Sequence, residues 1–238
     1  MSKQPAYKRI LIKLSGEVMA GEGGVGIEPA ALEELAEELA DLKTLEVEIA
    51  VVVGGGNLIR GTQADRYNID RVTADYVGML TTIINGLALG DALEKKGVAT
   101  SVQSAVSVGE FVSPYVRSDT LRDLRVGKVV IFVGGTGNPF FSTDTTAALR
   151  ALEIGAEIII KATKVDGVYD ADPVTHPGAV KFDTISYAEV LQRRLQVMDA
   201  TAITLCMEHR LPLVVFDIGA KGAMRRIILG EKKGTLIH

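Results

Sequence analysis

Hydrophobic positions along this chain follow two alternating rhythms. Runs of consecutive aliphatic and β-branched residues at 9–14, 47–53 and 128–133 are separated by longer stretches in which apolar residues recur every three to four positions. Consecutive apolar positions mark strands covered on both faces, and the wider spacing marks amphipathic helices. Further strands are predicted at 99–103, 157–161 and 213–216, with a short closing strand at 235–237. Glu28-Pro29 opens a helix whose Leu32, Leu35, Ala36, Leu39 and Leu42 share one face, proline being favoured in a first helical turn. A long helix is predicted from Arg71 to Lys96; it carries Val72, Leu80, Ile83, Ile84, Leu87 and Leu89, and includes Gly78, Gly86 and Gly90. Each helical glycine costs up to about 1 kcal/mol against alanine, so this helix is expected to pack closely on another element or subunit. Other helices are predicted at 143–154, 187–195, 199–209 and 223–229. Strands alternating with helices define an α/β protein with a mainly parallel sheet. The chain shows no repeat, linker or low-complexity segment.

Composition narrows the partners. The 238 residues are 47% hydrophobic with a mean hydropathy of +0.23, enough for a substantial core. With 26 Lys and Arg against 30 Asp and Glu, and a pI near 5.5, there is no basic stripe for nucleic acid, while a small anion held by a few placed cations remains compatible. The only cysteine, Cys206, sits in an apolar helical run, which excludes a disulfide scaffold and fits a reducing cytosol. Met1-Ser2-Lys3-Gln4 has no apolar signal core, and no uninterrupted apolar stretch reaches membrane-spanning length. The expectation is a cytoplasmic protein with no membrane partner.

Chemistry gathers where strands end. The three principal runs stop at Ser15-Gly16-Glu17, at Gly54-Gly55-Gly56-Asn57 and at Gly134-Gly135-Thr136-Gly137-Asn138. Glycine lets backbone approach a ligand, and successive N–H groups at such turns form an anion-binding concavity. In a parallel sheet these turns lie at the carboxyl ends of strands, where ligands bind, although glycines also serve simply to make tight turns. Lys13 and Lys161, both near strand ends, favour a phosphate site. Gly21-Glu22-Gly23-Gly24-Val25-Gly26 matches a dinucleotide fingerprint but is a decoy: the strand ends near Leu14 and the helix opens only at Pro29, so a mobile glycine-rich loop is expected there. No G-x-x-x-x-G-K-[ST] occurs. Asp170 and Asp172 lack the rest of a calcium loop, and His176, His209 and His238 are isolated, so no metal ligands are assigned.

Two segments are more specific. Thr136-Gly137-Asn138-Pro139-Phe140-Phe141-Ser142-Thr143-Asp144 packs hydroxyls, an amide, an aromatic pair and a carboxylate between a strand and a helix start. Thr143 or Asp144 could serve only as a helix cap, but a cap needs neither Asn138 nor the two phenylalanines. Lys161 to Pro173 places two lysines and three carboxylates at one strand exit, which suits a triphosphate and its sugar.

With these residues in view, the chain resembles the bacterial uridylate (UMP) kinases of the amino acid kinase superfamily over almost its full length. The matching segments are Lys13-Leu14-Ser15-Gly16-Glu17, Gly54-Gly55-Gly56-Asn57 with Arg60-Gly61, Asp75 with Gly78-Met79, Thr136 to Asp144, and Lys161 to Pro173. The resemblance implies a single domain over residues 1–238, a three-layer α/β/α sandwich with an acceptor half of roughly 1–155 and an ATP half of roughly 156–238. It implies transfer of the γ-phosphoryl group of ATP to UMP in pyrimidine nucleotide synthesis, with Mg²⁺ bridging the ATP phosphates. It casts Lys13 and Lys161 as the catalytic cations and Asp144 as the group that orients them. Leu14, Ser15, Gly16, Gly56 and Arg60 join Lys13 on the ATP phosphate path, and Thr163, Tyr169 and Asp172 hold the adenosine. For UMP it assigns Gly55, Arg60 and Thr143 to the phosphate, Asp75 to the ribose, and Thr136, Gly137, Asn138, Pro139, Phe140 and Phe141, with Ser142 beside them, to the uracil pocket.

The resemblance also implies a homohexamer, with GTP as an activator and UTP as an inhibitor. Relatives present arginines at the effector site where this chain aligns Gly90, Ser101 and Lys128, so weak GTP activation is expected. Isopentenyl phosphate or acylglutamate kinases would share the ATP half but need an apolar pocket or an arginine clamp where Asn138 and Asp75 stand. A non-catalytic nucleotide-binding protein on this fold would be expected to have lost one of the lysines.

Overall fold

The structure, a computed structural model, describes residues 4–58, 68–173 and 175–238. From the N-terminus the elements are β1 (Arg9–Leu14), α1 (Gly16–Met19), α2 (Pro29–Lys43), β2 (Glu48–Val53), α3 (Arg71–Lys95) and β3 (Thr100–Ser104). They continue with β4 (Ser113–Pro114), α4 (Arg117–Arg125), β5 (Val129–Val133), α5 (Thr143–Ile154) and β6 (Ile158–Thr163). The last are β7 (Thr184–Ile185), α6 (Tyr187–Gln192), α7 (Ala200–Glu208), β8 (Leu213–Asp217), α8 (Ala223–Ile228) and β9 (Thr235–Ile237).

Among the described residues the strands form one sheet in the order β4-β3-β5-β2-β1-β6-β8-β9-β7. Every pairing is parallel except that of β8 with β9. Alternate residues of the central strands feed two cores. Ile10, Ile12 and Leu14 of β1 pack with Leu39 of α2, Leu93 of α3 and Ile227 of α8. Leu11, from the same strand, faces Ala151 of α5 and Ile203 of α7 across the sheet. The result is a helix–sheet–helix sandwich of the α/β class.

The pattern of the sequence located the central strands to within one or two residues, since β2, β3, β5 and β6 each begin one residue later than expected. It missed α1, α4 and the two-residue strands β4 and β7. α4 escaped because its buried face is Thr120, Asp123 and Leu124, two of them polar, and Thr120 hydrogen-bonds the buried Gln103. Two of the three glycines of α3 pack against elements of this same chain: a Cβ at Gly86 would lie 2.2 Å from Val133 Cγ1 on β5 and one at Gly90 3.2 Å from Val102 Cγ2 on β3, whereas one at Gly78 would meet nothing within 4 Å. α3 is also apolar enough by length and composition to cross a bilayer, with a mean hydropathy of 1.3 over its best window, 44% of which is buried. Its outward face carries Tyr76, Leu80 and Ile84, each about half exposed. The glycine-rich loop expected to be mobile contains a 3₁₀ turn at Gly21–Gly23 and is pinned at its end, where Gly26 N donates to Asn57 O at 2.9 Å and Asn57 Nδ2 donates to Gly26 O at 2.7 Å.

Candidate active site

β1 and β6 are parallel neighbours, and their register places Lys13 directly beside Lys161. In-register residues of adjacent strands project from the same face, here the one covered by α5 and α7. The last turn of each strand therefore presents an ammonium group to the first turn of α5. Ser142 is the cap of that helix, its hydroxyl accepting from Asp144 N at 2.9 Å and Thr145 N at 3.2 Å. Capping thus falls to neither Thr143 nor Asp144, and Asp144 is free to reach both lysines. Lys161 Nζ donates to Asp144 Oδ2 at 2.7 Å and also to the Val197 carbonyl. Lys13 Nζ lies 2.9 Å from Oδ1, so the one carboxylate bridges both ammonium groups. Lys13 and Lys161 are only 7% and 9% exposed.

Burial and charge set the protonation states. Burial pushes the Asp144 carboxyl upward, but Lys13 and Lys161 together outweigh it and hold the group below the ordinary aspartate range. Burial lowers Lys161, and Lys13 adds to that, while Asp144 and Asp199 oppose it; the net direction is down. A carboxylate held ionised between two cations is a poor proton acceptor. It suits orientation of the lysines, not general-base catalysis.

The glycine turns close around this triad. A Cβ at Gly16 would lie 2.6 Å from Asn57 Oδ1 and 2.8 Å from both Gly54 O and Gly56 N, so the first two turns touch only because residue 16 has no side chain. Asn57 and Asn85, both essentially fully buried, exchange amide hydrogen bonds of 3.0 and 2.8 Å, and Asn85 Nδ2 also donates to Gly54 O at 2.8 Å. That pair fastens the second turn to α3. The third turn is held by Gly134 N donating to Thr82 Oγ1 of α3 at 2.7 Å. Between them opens a cleft of about 680 Å³.

Its lining includes Lys13, Ser15, Gly16, Gly55, Gly56, Asp75, Phe140, Phe141, Ser142, Thr143 and Asp144, all of them singled out by the sequence. Thr136, Gly137, Asn138 and Pro139 are not part of that lining; Thr136 and Asn138 hydrogen-bond each other in a local turn. Leu14 is fully buried with its side chain in the core, so only its backbone faces the turns, its carbonyl accepting from Gly54 N at 2.8 Å. Thr163, at the end of β6, bonds Val165 O at 2.7 Å, and Tyr169 donates to Asp166 Oδ1 at 2.6 Å; neither these two nor Asp172 lines the cleft. Arg60 lies outside the described residues.

The sequence-based set lacks several residues that build the cleft, among them Asp199 and Arg71 in its lining and Asn85 buried behind it. Asp199 caps α7 and accepts from the Ser142 hydroxyl and from Thr145 Oγ1 at 2.8 Å, bracing the turn that carries Asp144. Its place at the very start of a predicted helix was the available signal. Asn85 was visible as a lone amide in an apolar helical run. Arg71, one turn before Asp75 on α3, carried no signal beyond its spacing.

A parallel sheet ending in two lysines and three glycine turns is the architecture of an enzyme that handles phosphoryl groups. The model of the Amino acid kinase family matches residues 8–217, and the chain belongs to that family. Its structure is similar to the crystal structure of UMP kinase from Bacillus anthracis, with 40% identity, a TM-score of 0.94, and coverage of 98% of this chain and 96% of that one. UMP kinase from Ureaplasma parvum matches with 38% identity and a TM-score of 0.90, covering 100% of this chain and 99% of that one. Uridylate kinase from Archaeoglobus fulgidus matches at 29% identity and a TM-score of 0.73, covering 96% and 99%.

Proposed function

We propose that this protein is an ATP-dependent UMP kinase, transferring the γ-phosphoryl group of ATP to UMP to give UDP and ADP in pyrimidine nucleotide synthesis. The observation that carries this reading is one cleft walled by Lys13, Asp144, Gly55, Gly56, Asp75 and the Phe140–Thr143 segment, with Lys161 bound to Asp144 from the adjoining pocket that it lines with Val197 and Asp199. Phosphoryl transfer needs little covalent help from a protein, so positioning and charge stabilisation supply the rate. A UMP phosphate oxygen is already a nucleophile at neutral pH, which is why an aspartate committed to two lysines is sufficient. Lys13 and Lys161 would stabilise the charge that builds on the transferring group. Ser15, Gly16 and Gly56 would line the ATP phosphate path, with Leu14 contributing backbone. Thr163, Tyr169 and Asp172 would take the adenosine, beyond the end of β6. Gly55, Thr143 and Arg60 would hold the UMP phosphate, Asp75 the ribose, and Thr136 to Phe141 the uracil. In this reading the chain is one cytoplasmic domain, with its acceptor half over residues 1–155 and its ATP half over 156–238.

Mg²⁺ would accompany ATP. Among the described residues no group of three or more metal-binding side chains is gathered. The ion would be held chiefly by phosphate oxygens and water, as Mg²⁺ commonly is, and would neutralise phosphate charge.

An ATP-consumption assay across UMP, CMP, dUMP, isopentenyl phosphate and N-acetylglutamate tests the assignment. UMP should be the best acceptor, and dUMP should be poorer because a missing hydroxyl leaves a polar group of the site unpaired. Equal turnover of UMP and N-acetylglutamate would overturn the reading.

Assembly follows from α3. Tyr76, Leu80 and Ile84 recur every four residues on its outward face, a stripe suited to a symmetric contact, and a homohexamer is the proposed state. Light scattering should show a six-chain particle; a stable monomer at micromolar concentration would refute it. GTP activation should be weak. Gly90 is buried beside Val102, and Ser101 and Lys128 both engage Asp123, at 2.8 and 3.1 Å, so the one cation at the aligned positions is already neutralised. UTP should still inhibit by occupying the acceptor pocket. Strong GTP activation at fixed UMP would show that this pairing does not silence the site.

A further inference from the structure

Asp75, the residue assigned above to the ribose, is already held on two sides. Arg71 Nε lies 3.1 Å from its Oδ1 and 3.0 Å from its Oδ2, across one turn of α3. Oδ2 also accepts the backbone N–H of Phe140 at 2.8 Å. The same guanidinium stands over the Phe140 ring, 5.7 Å from its centroid. Phe140 has a φ of +70°, a left-handed conformation that is an outlier for a bulky residue and persists only where its surroundings impose it. Burial is not what imposes it, because Phe140 is 67% exposed. The hydrogen bond to Asp75 and the stacked Arg71 are the contacts that fix this backbone. Three groups from α3 and the aromatic segment therefore form one unit at the mouth of the cleft, and Arg71 touches both of the others.

We propose that Arg71 is a positioning residue that sets the sugar selectivity of the acceptor site, acting through Asp75 and Phe140. This rests on the UMP kinase reading. A carboxylate offers about four lone-pair sites. With Arg71 and Phe140 N–H occupying part of that capacity in a fixed geometry, the remainder is aimed, and a ribose hydroxyl meets an acceptor that need not reorganise. Without the guanidinium the Asp75 side chain is held by the Phe140 N–H alone, and the Phe140 ring loses the cation above it. The hydroxyl contact then weakens, whereas contacts to the phosphate, made by groups on other elements, do not depend on Arg71.

Steady-state kinetics with UMP and dUMP at saturating ATP test this in the wild type, Arg71→Gln, Arg71→Lys, Asp75→Asn and the Arg71→Gln/Asp75→Asn double variant. Arg71→Gln should raise KM for UMP roughly tenfold, equivalent to about 1.4 kcal/mol, and reduce the preference for UMP over dUMP by a similar factor, with KM for ATP unchanged. Arg71→Lys keeps the charge and should restore most of the preference. The double variant should be no worse than Asp75→Asn alone, as expected when one residue acts through another. Equal loss on UMP and dUMP, or fully multiplying effects in the double variant, would overturn the proposal. So would a wild type that turns over UMP and dUMP equally, a result that leaves UMP kinase activity standing. A wild type inactive on every uridine nucleotide would instead overturn the functional reading itself.

Discussion

Lys161→Ala is expected to lower kcat roughly 10²–10³-fold, and Lys13→Ala by a similar factor, which is the usual loss when one preorganised donor to transition-state charge is removed. The two ammonium groups are fixed by strand register and not by loops, since Lys13 and Lys161 are paired neighbours at the sheet centre. Both are nearly excluded from water, where an ammonium is worth far more to a developing phosphate charge than it would be in solution. Affinity for UMP, measured by titration calorimetry without ATP, should change little, because the acceptor contacts are assigned to other elements. Near-normal turnover would remove that lysine from the chemistry, and lost UMP binding would move it to the acceptor site. The pH profile gives an independent check. Burial lowers the pKa of Lys161, so its charged form is lost at a lower pH than that of an ordinary lysine. The alkaline limb of kcat/KM, which reports the free enzyme, should therefore fall below the usual lysine range, and should be absent from the residual activity of Lys161→Ala if Lys161 is the titrating group.

Much of this site is legible in the amino-acid sequence, for a physical reason. Strands buried on both faces leave uninterrupted apolar runs, and the abrupt ends of those runs at glycine and hydroxyl turns mark where backbone is laid open to a ligand. Lys13 and Lys161 stand out because a cation at the end of such a run is costly without a partner or a purpose. What the sequence does not contain is the pairing. Register between β1 and β6 is a property of two strands separated by most of the chain, and only it brings the two lysines side by side. The same holds for Asp199, which braces α5 from α7, and for Asn85, whose partner Asn57 lies on another element. Local pattern identifies elements; it does not say which polar side chains meet across them. α4 escapes the pattern for the converse reason, because its buried face is a polar network around Asp123, Gln103 and Ser101 and so casts no hydrophobic periodicity.

Asp144→Asn should be the most destabilising change in the cleft, by about 3–5 kcal/mol at neutral pH, the range found when one partner of a buried ion pair is removed. The carboxylate sits between two lysines whose side chains are 9% and 11% exposed, and without it the two buried cations face each other uncompensated. The pH dependence of that loss has a definite sign. In the folded protein Asp144 lies below its unfolded value of about 3.9, so its stabilising contribution is complete above that pH and disappears as pH falls through the depressed folded value. Thermal unfolding of wild type and variant, compared at equal protein concentration, should show their largest Tm gap near neutrality and converge toward strong acid. A second convergence should develop at alkaline pH, where Lys161 gives up its proton early and the need for a counter-charge declines. In the variant that deprotonation should come earlier still, since the carboxylate that opposes it is gone, and the alkaline limb of any residual activity should move to lower pH. Equal Tm at pH 7 would mean that the lysines find other partners when Asp144 is neutralised. The triad would then be a catalytic arrangement without a structural role.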